Sequence, residues 1–365
     1  MSAAVATRTW WSWTAAGGSA ATVPRSRPRT TRSRSRVRGV TGCVRTRCYR
    51  DGVLTDEGFP IDQVSEHLKD HLAVVWVDLC APGVEDLQLV ADELGLHRLA
   101  VEDAAVGRQR PKFDRYLEHD FLTSYLVRFD ERSGQLSTGE IAAFITPSAM
   151  VTVHRDRDWP IDELMARWDN EASLTRFGVG ALLHGLLDFI VQGHFDAVES
   201  LDEQIEELED LLFGDSSRNR VLDRRTFEIR KSLVQLRRVA LPMREVVNTL
   251  MRRDVGFVHE ELMPYYQDVY DNVLRAAEWT ESLRDLVNTI LETNLTMQGN
   301  RLNIITKKVT SWAAIIAVPT AITGFYGQNL PYPGFMEVSG FAASSLLIVL
   351  LSVILYVVFK RNDWL

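Results

Sequence analysis

The pattern of apolar and polar positions separates a mixed front part of the chain from a helical middle and an apolar end. Four runs rich in β-branched and aromatic residues lie at 72–79, 121–129, 141–146 and 150–154. Amphipathic spacing predicts helices over residues 84–96 and 160–173, and strand signals end before Gly180. The sequence therefore predicts an α/β domain over residues 51–175, followed by helices.

Charged residues mark two helices within residues 176–262. Residues 199–215 contain eight acids and no base, whereas residues 218–253 contain eleven bases and three acids. A turn-forming run at 214–217 lies between them. We expect an antiparallel helical hairpin with complementary charge. The acids either form a solvated, salt-bridged face or collect cations.

A long helix is predicted next, over residues 263–308 and beyond. Its apolar positions follow a heptad-like spacing, with Val269, Val273, Ala276, Leu283, Val287, Ile290 and Met297. No proline lies between Pro264 and Pro319, so the helix can continue unbroken into the next segment. A helix of this length needs packing partners, and symmetric copies of the chain are the simplest source.

Two uncharged apolar segments follow, at residues 309–326 and 338–359. They contain 18 and 22 residues, and helices of this length cross a hydrocarbon core of about 30 Å. A buried core helix is the alternative for each, but two such runs in succession favour membrane spans.

Basic residues flank the pair of spans on one side of the membrane. They are Lys307, Lys308, Lys360 and Arg361. The linker at 327–337 contains neither lysine nor arginine. The positive-inside rule therefore places both basic flanks in the cytoplasm. We expect a multi-pass protein of the cell inner (plasma) membrane. Both termini, including the tail at 360–365, are then cytoplasmic, and the linker lies outside.

One face of the first span is small or polar throughout. It carries Asn303, Thr306, Thr310, Ala313, Ala317, Thr320 and Gly324, at alternating intervals of three and four residues. Two spans cannot enclose a water-filled path, so a pore along this face needs several copies of the chain. Close packing of small residues between helices is the alternative.

Charge is unevenly distributed along the chain. The whole sequence has 41 lysine and arginine residues against 49 acids, but residues 1–50 contain eleven arginines and no acid. We expect residues 1–50 to be a disordered leader, because arginine, serine and proline bury too little surface to order a segment. A nucleic-acid arm, a contact with anionic lipid and a transit peptide are alternatives. Three cysteines exclude a disulfide-stapled secreted domain.

The first span runs into the sequence Gly324-Phe325-Tyr326-Gly327-Gln328-Asn329. Here the chain resembles the CorA family of divalent-cation channels, whose signature at this position is Tyr-Gly-Met-Asn, with Gln328 standing where methionine is usual. The resemblance extends over residues 50–365 and includes RQRPKFDRY at 108–116 and PYYQDVYDN at 264–272. It implies a mostly α, CorA-like fold, in which a cytoplasmic α/β domain leads through a stalk helix to two C-terminal transmembrane helices.

The resemblance also implies a function and its partners. CorA-like proteins are homopentamers in the lipid bilayer that pass Mg²⁺, and also Co²⁺ or Ni²⁺, down the membrane potential. Mg²⁺ is then both the transported ion and a cytoplasmic regulator. Neither a nucleotide nor a nucleic acid is expected as a partner. The chain has no Walker sequence, so ATP-driven pumping is not expected. His154-Arg155-Asp156 imitates a kinase loop but lacks its asparagine, and no enzyme activity is expected.

The signature has a simple chemical interpretation. Mg²⁺ keeps much of its water in protein sites, so a pore for it needs neutral oxygens that accept hydrogen bonds from the hydration shell. Copies of Asn329 would present amide oxygens, Gly327 would let the backbone turn toward the ion, and Gln328 would add an amide. Glu337, the acid of the outer loop, would raise the local cation concentration. A helix C-cap is the alternative role for Asn329.

The resemblance assigns further residues to a pore lining and to a regulatory site. The lining positions fall on Asn303, Thr306, Val309, Ala317, Thr320 and Gly324. Several of these are small or polar, so we expect the hydrophobic constriction to be weaker around Val309 and Ala317, or to lie elsewhere along the helix.

The cation-sensing positions fall on Glu102, Asp103 and Asp268, where acids of neighbouring subunits would share Mg²⁺ and hold the channel shut. A helix N-cap for Asp103 and a solvated face for Asp268 are the alternatives.

Two other functions remain open on the sequence. One is a zinc transporter of the related ZntB branch, which varies the middle residue of the same signature. The other is a membrane-anchored coiled-coil scaffold that conducts nothing. Measuring the flux of each divalent metal ion in turn would distinguish a magnesium channel, a zinc transporter and a scaffold.

Overall fold

A mixed sheet lies at the centre of the part of the chain that the computed structural model describes, which comprises residues 43–130, 133–213, 219–252, 256–328, 331 and 334–364. The strands in these ranges are β1 (Cys43–Arg50), β2 (Val53–Glu57), β3 (Ala73–Cys80), β4 (Lys112–Arg115), β5 (Asp120–Asp130), β6 (Gln135–Ile145) and β7 (Ala149–His154). They pair in the order β2-β1-β3-β7-β6-β5-β4. β3 and β7 are parallel, and the other neighbours are antiparallel.

The four strands predicted from the hydrophobic pattern are confirmed as β3, β5, β6 and β7. The largest difference is at β6, which begins at Gln135, before the predicted run. Residues 135–140 are mostly polar, yet β6 pairs with β5 from Gln135 opposite Asp130 to Ile145 opposite Asp120. The ladder of backbone hydrogen bonds extends the strand beyond its apolar pattern.

The expected disordered leader over residues 1–50 is wrong at its end, because its last eight residues form β1, between β2 and β3. Arg47 lies 2.9 Å from Asp169, and Arg50 lies 2.8 Å from Asp70. Acids distant in the sequence thus neutralise arginines that the sequence grouped with a basic tail. The rest of the leader lies outside the described residues.

Short helices cover one face of the sheet. They are α1 (Val64–His67), α2 (Val84–Leu94) and α3 (Arg98–Val106), with a short 3-10 helix at Ile61–Gln63. Alternate residues of β3 point to this face, where Val75, Val77 and Leu79 share one apolar cluster with residues of α2 and α3. The helix predicted over residues 84–96 is confirmed as α2, which ends at Gly95 with a left-handed φ of 67°.

Longer helices cover the other face. They are α4 (Ile161–Asn170), α5 (Ala172–Thr175) and α6 (Val179–Leu212). Trp76 of β3 and Met150 of β7 belong to the same buried cluster as Leu164 of α4 and Leu186 of α6. The helix predicted over residues 160–173 is confirmed as α4.

The predicted helical hairpin is confirmed as α6 and α7 (Asn219–Leu250), which pack on the long helix α8 (Met263–Tyr326) after a 3-10 helix at Glu260–Leu262. Ile205, Leu236 and Val287, one from each helix, share a buried cluster. Arg225 of α7 lies 3.0 Å from Glu207 of α6. The hairpin is thus held mainly by apolar packing, with complementary charge on its surface.

One continuous helix joins the α/β domain to the apolar end. α8 contains 64 residues and continues through Pro319 without a break, so it extends for about 96 Å. α9 (Val338–Arg361) follows it. Among the described residues, these two helices are long and apolar enough to cross a membrane. The apolar 18-residue stretch within each has a mean hydropathy of 1.4 in α8 and 2.6 in α9, and 6% and 0% of these stretches are buried. Exposed apolar helices of this kind need lipid or further copies around them.

Candidate ion path and cation-sensing site

The small and polar face predicted on the first span is uncovered within the chain. All eight candidate lining residues are exposed, and 63% of the surface of Val309 is accessible. The eight are Asn303, Thr306, Val309, Thr310, Ala313, Ala317, Thr320 and Gly324. This face is therefore available to further copies of the chain or to an ion.

α9 covers a different side of α8, and the two helices contact each other along it. Ser311 is buried, and Ile315, Val318 and Ile322 are half-buried. Their spacing of three and four residues marks one side of the helix. At about 100° per residue, this side lies roughly opposite the small and polar face. The chain's own second span thus leaves that face open.

Helix geometry orients a hydroxyl group on this face. Thr320 Oγ1 donates a hydrogen bond to the Ile316 carbonyl at 2.9 Å, which leaves the lone pairs of the hydroxyl oxygen for an outside donor. Such an oxygen accepts hydrogen bonds from the water shell of a cation without carrying charge itself. The face is therefore chemically suited to a hydrated cation.

The end of α8 departs from the predicted turn. Gly327 has φ −80° and ψ −7°, a right-handed conformation open to any residue, so the expected glycine-specific turn is wrong. Gly327 N donates a hydrogen bond to Thr323 O at 2.8 Å. A Cβ on Gly327 would lie only 3.0 Å from that oxygen, so the space here favours glycine. Gln328 is exposed, and its backbone N donates to Phe325 O at 3.2 Å. Asn329 lies outside the described residues.

Glu337 stands at the start of α9, where it is exposed and accepts a hydrogen bond from Ser339 Oγ at 2.8 Å. Gly334 and Gly340 fold the loop back onto α9, since a Cβ on Gly340 would overlap the Gly334 carbonyl oxygen. Glu337 and Gly327 line one cleft of about 400 Å³ between the ends of α8 and α9. The structure therefore brings the loop acid close to the glycine of the signature.

Glu102 and Asp103, two of the candidate sensing acids, lie on α3. Glu102 is exposed and pairs with Arg98 at 3.0 Å. Asp103 is half-buried, and its carboxylate accepts hydrogen bonds from Lys112 Nζ at 2.7 Å and from Gln109 Nε2 at 3.3 Å. Asp103 thus already has partners inside its own chain.

Lys112 of β4 supplies the counter-charge to Asp103. Its Nζ lies 2.7 Å from Asp103 and 2.7 Å from Asp114. Burial alone would lower the pKa of Lys112, but the two carboxylates outweigh burial and raise that pKa, so the ammonium form is favoured. The N-cap of α3 is His97, so the alternative of an N-cap role for Asp103 is wrong. Asp103 is one arm of an ion-pair bridge between α3 and β4.

Asp268, the third candidate acid, lies near the start of α8. It is exposed, and Asn272 Nδ2 donates to it at 3.4 Å. Among the described residues, no three His, Cys, Asp or Glu side chains lie close enough together to hold a metal ion. Glu102, Asp103 and Asp268 therefore form no complete site in one chain. A cation at Asp103 would need ligands from another copy and would have to compete with Lys112.

The loop between α3 and β4 is held by residues that sequence reasoning missed. Gly107 and Arg108 have left-handed φ values of 70° and 65°. Glu140 of β6 accepts a hydrogen bond from the Arg108 backbone N and lies 3.1 Å from Tyr125 Oη. Tyr125 Oη also donates to Gln109 O at 2.5 Å. Only the RQRPKFDRY motif signalled this region, because a glutamate inside a strand predicts no contact by itself.

The triplet that imitates a kinase loop contains a buried structural histidine. His154 Nε2 lies 3.2 Å from Asp78 Oδ2, and His154 Nδ1 lies 2.7 Å from Asp156 O. Both partners are acceptors, so both ring nitrogens donate. Burial lowers the pKa of His154, but Asp78 and Asp156 together outweigh burial and raise that pKa. Thr152 Oγ1 donates to Asp78 at 2.7 Å, which completes a polar network between the parallel strands β3 and β7.

A large α/β domain leads into the continuous helix α8, whose apolar end and the apolar helix α9 are both exposed. This arrangement defines a two-span membrane protein with most of its chain outside the bilayer. A small and polar helix face left open by the second span is typical of a transport path shared between subunits. A family model described as CorA-like Mg2+ transporter protein matches residues 72–361. The chain belongs to the CorA family of divalent-cation transporters, and the resemblance seen in the sequence is confirmed.

Known proteins support this assignment over most of the chain. The chain is 27% identical over 300 residues to the cobalt/magnesium transport protein CorA of Thermotoga maritima, covering 81% of this chain and 85% of that protein. It is 24% identical over 270 residues to the zinc transport protein ZntB of Yersinia pseudotuberculosis, covering 73% of this chain and 80% of that protein. Both relatives are transport proteins and not enzymes.

The fold is similar to the complete structure of the CorA magnesium transporter from Methanocaldococcus jannaschii. The TM-score is 0.67 at 22% identity, covering 80% of this chain and 92% of that chain. The predicted fold class, an α/β domain followed by a long helix and two C-terminal apolar helices, is confirmed.

Proposed function

We propose that the protein is a homopentameric channel that admits Mg²⁺, and also Co²⁺ or Ni²⁺, into the cell. The observation that carries this proposal is the exposed small and polar face of α8, which lies away from α9 and leads toward Gly327, Gln328 and Asn329. Copies arranged with this face inward would enclose a path lined by hydroxyl groups, amides and small side chains. Such a path lets a strongly hydrated ion keep its water.

The membrane potential is sufficient to drive uptake through such a path. Moving one charge across 100 mV is worth about 2.3 kcal/mol, and a divalent ion gains about twice as much. The basic residues at the ends of the two spans support a cytoplasmic position for the α/β domain in the inner membrane of the cell. Glu337 at the outer mouth would concentrate cations there.

Cytoplasmic Mg²⁺ regulates the proposed channel through Glu102, Asp103 and Asp268, contributed by neighbouring copies. Exposure of Glu102 and Asp268 in the single chain supports this role, since both are free to face another subunit. Within each chain the ion pair with Lys112 holds the Asp103 side chain in position. Like carboxylates that meet between copies repel each other when no cation neutralises them.

A zinc transporter is the second candidate. Gln328 in place of the usual methionine, together with the similarity to a zinc transport protein of Yersinia pseudotuberculosis, favours this alternative. The third candidate, a coiled-coil scaffold, has no need of a polar face that ends at an amide-rich loop.

Flux into proteoliposomes separates these candidates. The full-length protein is reconstituted at a fixed inside-negative potential, and influx of Mg²⁺, Co²⁺, Ni²⁺ and Zn²⁺ is measured in turn. Asn329→Ala removes the side-chain amide proposed to line the pore mouth. Asn248→Ala removes an exposed side-chain amide of α7 and serves as the matched control. Native mass measurement on the same preparation counts the subunits.

The proposal requires Mg²⁺ influx that is lost in Asn329→Ala and kept in Asn248→Ala, by an assembly of five chains. Influx of Zn²⁺ without Mg²⁺ would assign the protein to the zinc alternative. The absence of influx for every ion, in an assembly that is intact, would leave the scaffold.

A further inference from the structure

Five basic side chains are exposed at the inner ends of the two spans. They are Arg301, Lys307 and Lys308 on α8, and Lys360 and Arg361 on α9. Residues 293–336 contain no acid, and neither does α9. Within the described part of the chain none of the five forms a salt bridge or a hydrogen bond to an acid, unlike Arg47 and Arg50 of β1. Among the described residues these five side chains therefore have no ion-pair partner, and an anionic partner would come from outside the chain.

Arg301 and Lys308 of α8 lie on the side of the helix that faces α9. Lys308 precedes Ser311 by three residues, and Lys307 precedes it by four, so both lie near Ser311 on the helix surface. Ser311 is buried and its Oγ donates to Lys307 O at 2.8 Å. Arg301 lies seven residues before Lys308 and returns to the same side. This side is roughly opposite the small and polar face, so Arg301 and Lys308 point away from the proposed ion path. Lys307 lies between the two sides, four residues after Asn303.

The basic residues of α9 come close to the same level, because the short loop after α8 makes the two helices antiparallel. Aromatic side chains mark this level as a membrane interface. Lys360 Nζ lies 5.7 Å from the centre of the Tyr356 ring. Trp364 stacks on Phe359 with ring centres 5.7 Å apart and planes 7° apart. Tyrosine and tryptophan concentrate where lipid headgroups meet the hydrocarbon core.

We propose that Arg301, Lys307, Lys308, Lys360 and Arg361 form a binding surface for the phosphate headgroups of anionic lipids in the inner leaflet. Charge complementarity identifies the occupant, since an unpaired basic cluster beside a membrane span attracts anionic lipid. The surface depends on α8 and α9 being membrane spans, but not on which ion the protein moves. It lies on the lipid side of each subunit, and the ion path lies on the other.

Lipid retention tests this surface on the full-length protein. Nanodiscs contain phosphatidylcholine with phosphatidylglycerol, and native mass spectrometry counts the lipids that stay bound. The variant is Lys307→Gln, Lys308→Gln, Lys360→Gln. The matched control is Arg230→Gln, Lys231→Gln, Arg244→Gln, which removes the same charge from exposed positions of α7. Gel filtration confirms that each assembly is intact.

We expect the wild type and the control to retain phosphatidylglycerol about tenfold over phosphatidylcholine, and the variant to fall to about twofold. For the wild type, the preference should also weaken as salt is raised. An unchanged preference in the variant, or an equal loss in the control, would overturn the proposal. So would a wild-type preference that is insensitive to salt.

Cation flux in pure phosphatidylcholine vesicles provides the second readout. If the basic groups face lipid, the variant and the wild type conduct equally there. A changed flux in the variant with an unchanged lipid preference would place these groups in the ion path and overturn the assignment. If no protein conducts any ion, the proposed channel function fails while the lipid measurement still decides the binding surface.

Discussion

Lys112 Nζ lies 2.7 Å from Asp103 Oδ2, so the chain itself supplies a cation to the half-buried acid among the candidate sensing residues. The same ammonium is 2.7 Å from Asp114 and 5.9 Å from the centre of the Phe121 ring. A divalent cation that binds Asp103 must therefore compete with an internal ion pair and not with water alone. The Mg²⁺ concentration that acts on the proposed channel depends on the strength of this pair.

We expect Lys112→Gln to lower the Mg²⁺ concentration that half-saturates the protein by about fivefold, since loss of the competing ion pairs is worth about 1 kcal/mol. The thermal unfolding midpoint of the full-length protein, followed against Mg²⁺ concentration, measures the change. Lys69→Gln removes the same charge from an exposed side chain and should leave the curve in place. If Lys112→Gln also leaves it in place, Mg²⁺ does not compete at Asp103.

A larger side chain on the small and polar face should obstruct the ion path. Ala317→Leu fills space where copies of α8 would meet, and we expect divalent-cation flux to fall by about tenfold or more. Ala343→Leu makes the same change at an exposed position of α9 and should keep flux within about twofold of the wild type. Proteoliposome influx at equal protein density provides the comparison. Equal flux in both variants would show that this face does not line the path.

The buried pair of Asp78 and His154 predicts a pH dependence with a definite sign. The folded protein raises the pKa of His154, so the pair contributes its full stability below the unfolded value of about 6.5 and loses it as the pH rises through the folded value. We therefore expect the thermal unfolding midpoint to fall as the pH is raised above about 6.5.

His154→Gln should remove this pH dependence and lower stability by about 3–5 kcal/mol at pH 6, because it leaves the Asp78 carboxylate buried without its charged partner. His71→Gln, at an exposed position, should keep both the stability and the slope. Thermal unfolding of the three proteins from about pH 6 to pH 9 measures both quantities. A slope that survives in His154→Gln would assign the pH dependence to other groups.

A buried hydrogen bond joins the start of α8 to α6. Tyr266 Oη donates to Gly180 O at 2.8 Å, and Tyr266 is fully buried. Tyr266→Phe keeps the ring and removes the donor, so we expect a loss of about 1–2 kcal/mol in the free energy of unfolding. Tyr265→Phe removes the same atom from a side chain that is 43% exposed and should change stability by less than about 0.5 kcal/mol. Equal unfolding midpoints for the two variants would exclude a contribution from this bond.

Periodicity predicted the elements whose apolar residues signal burial locally. β3 and β7 are nearly continuous apolar runs, because both faces of a central strand are covered. α8 was foreseen as one helix because no proline interrupts it before Pro319. Both spans were foreseen because a long uncharged run needs an apolar environment wherever it lies.

The same reasoning missed β1, because its evidence lies elsewhere in the chain. Arg47 and Arg50 look like part of a basic tail until Asp169 and Asp70 come beside them. The predicted turn at Gly327 failed for a related reason. We predicted a turn because glycine permits left-handed φ values. At Gly327 the backbone is right-handed, and glycine fits because a Cβ would lie 3.0 Å from the Thr323 carbonyl oxygen.

The family, the order of the elements and the small and polar face of α8 could be predicted from the amino-acid sequence, because they follow from residue types at fixed spacing along one chain. Three-dimensional contacts were needed to show that α9 packs on the opposite side of α8, that Lys112 pairs with Asp103, and that His154 is buried against Asp78. Such contacts join residues that are far apart in sequence. Their energies depend on distance and burial, which a linear pattern does not contain.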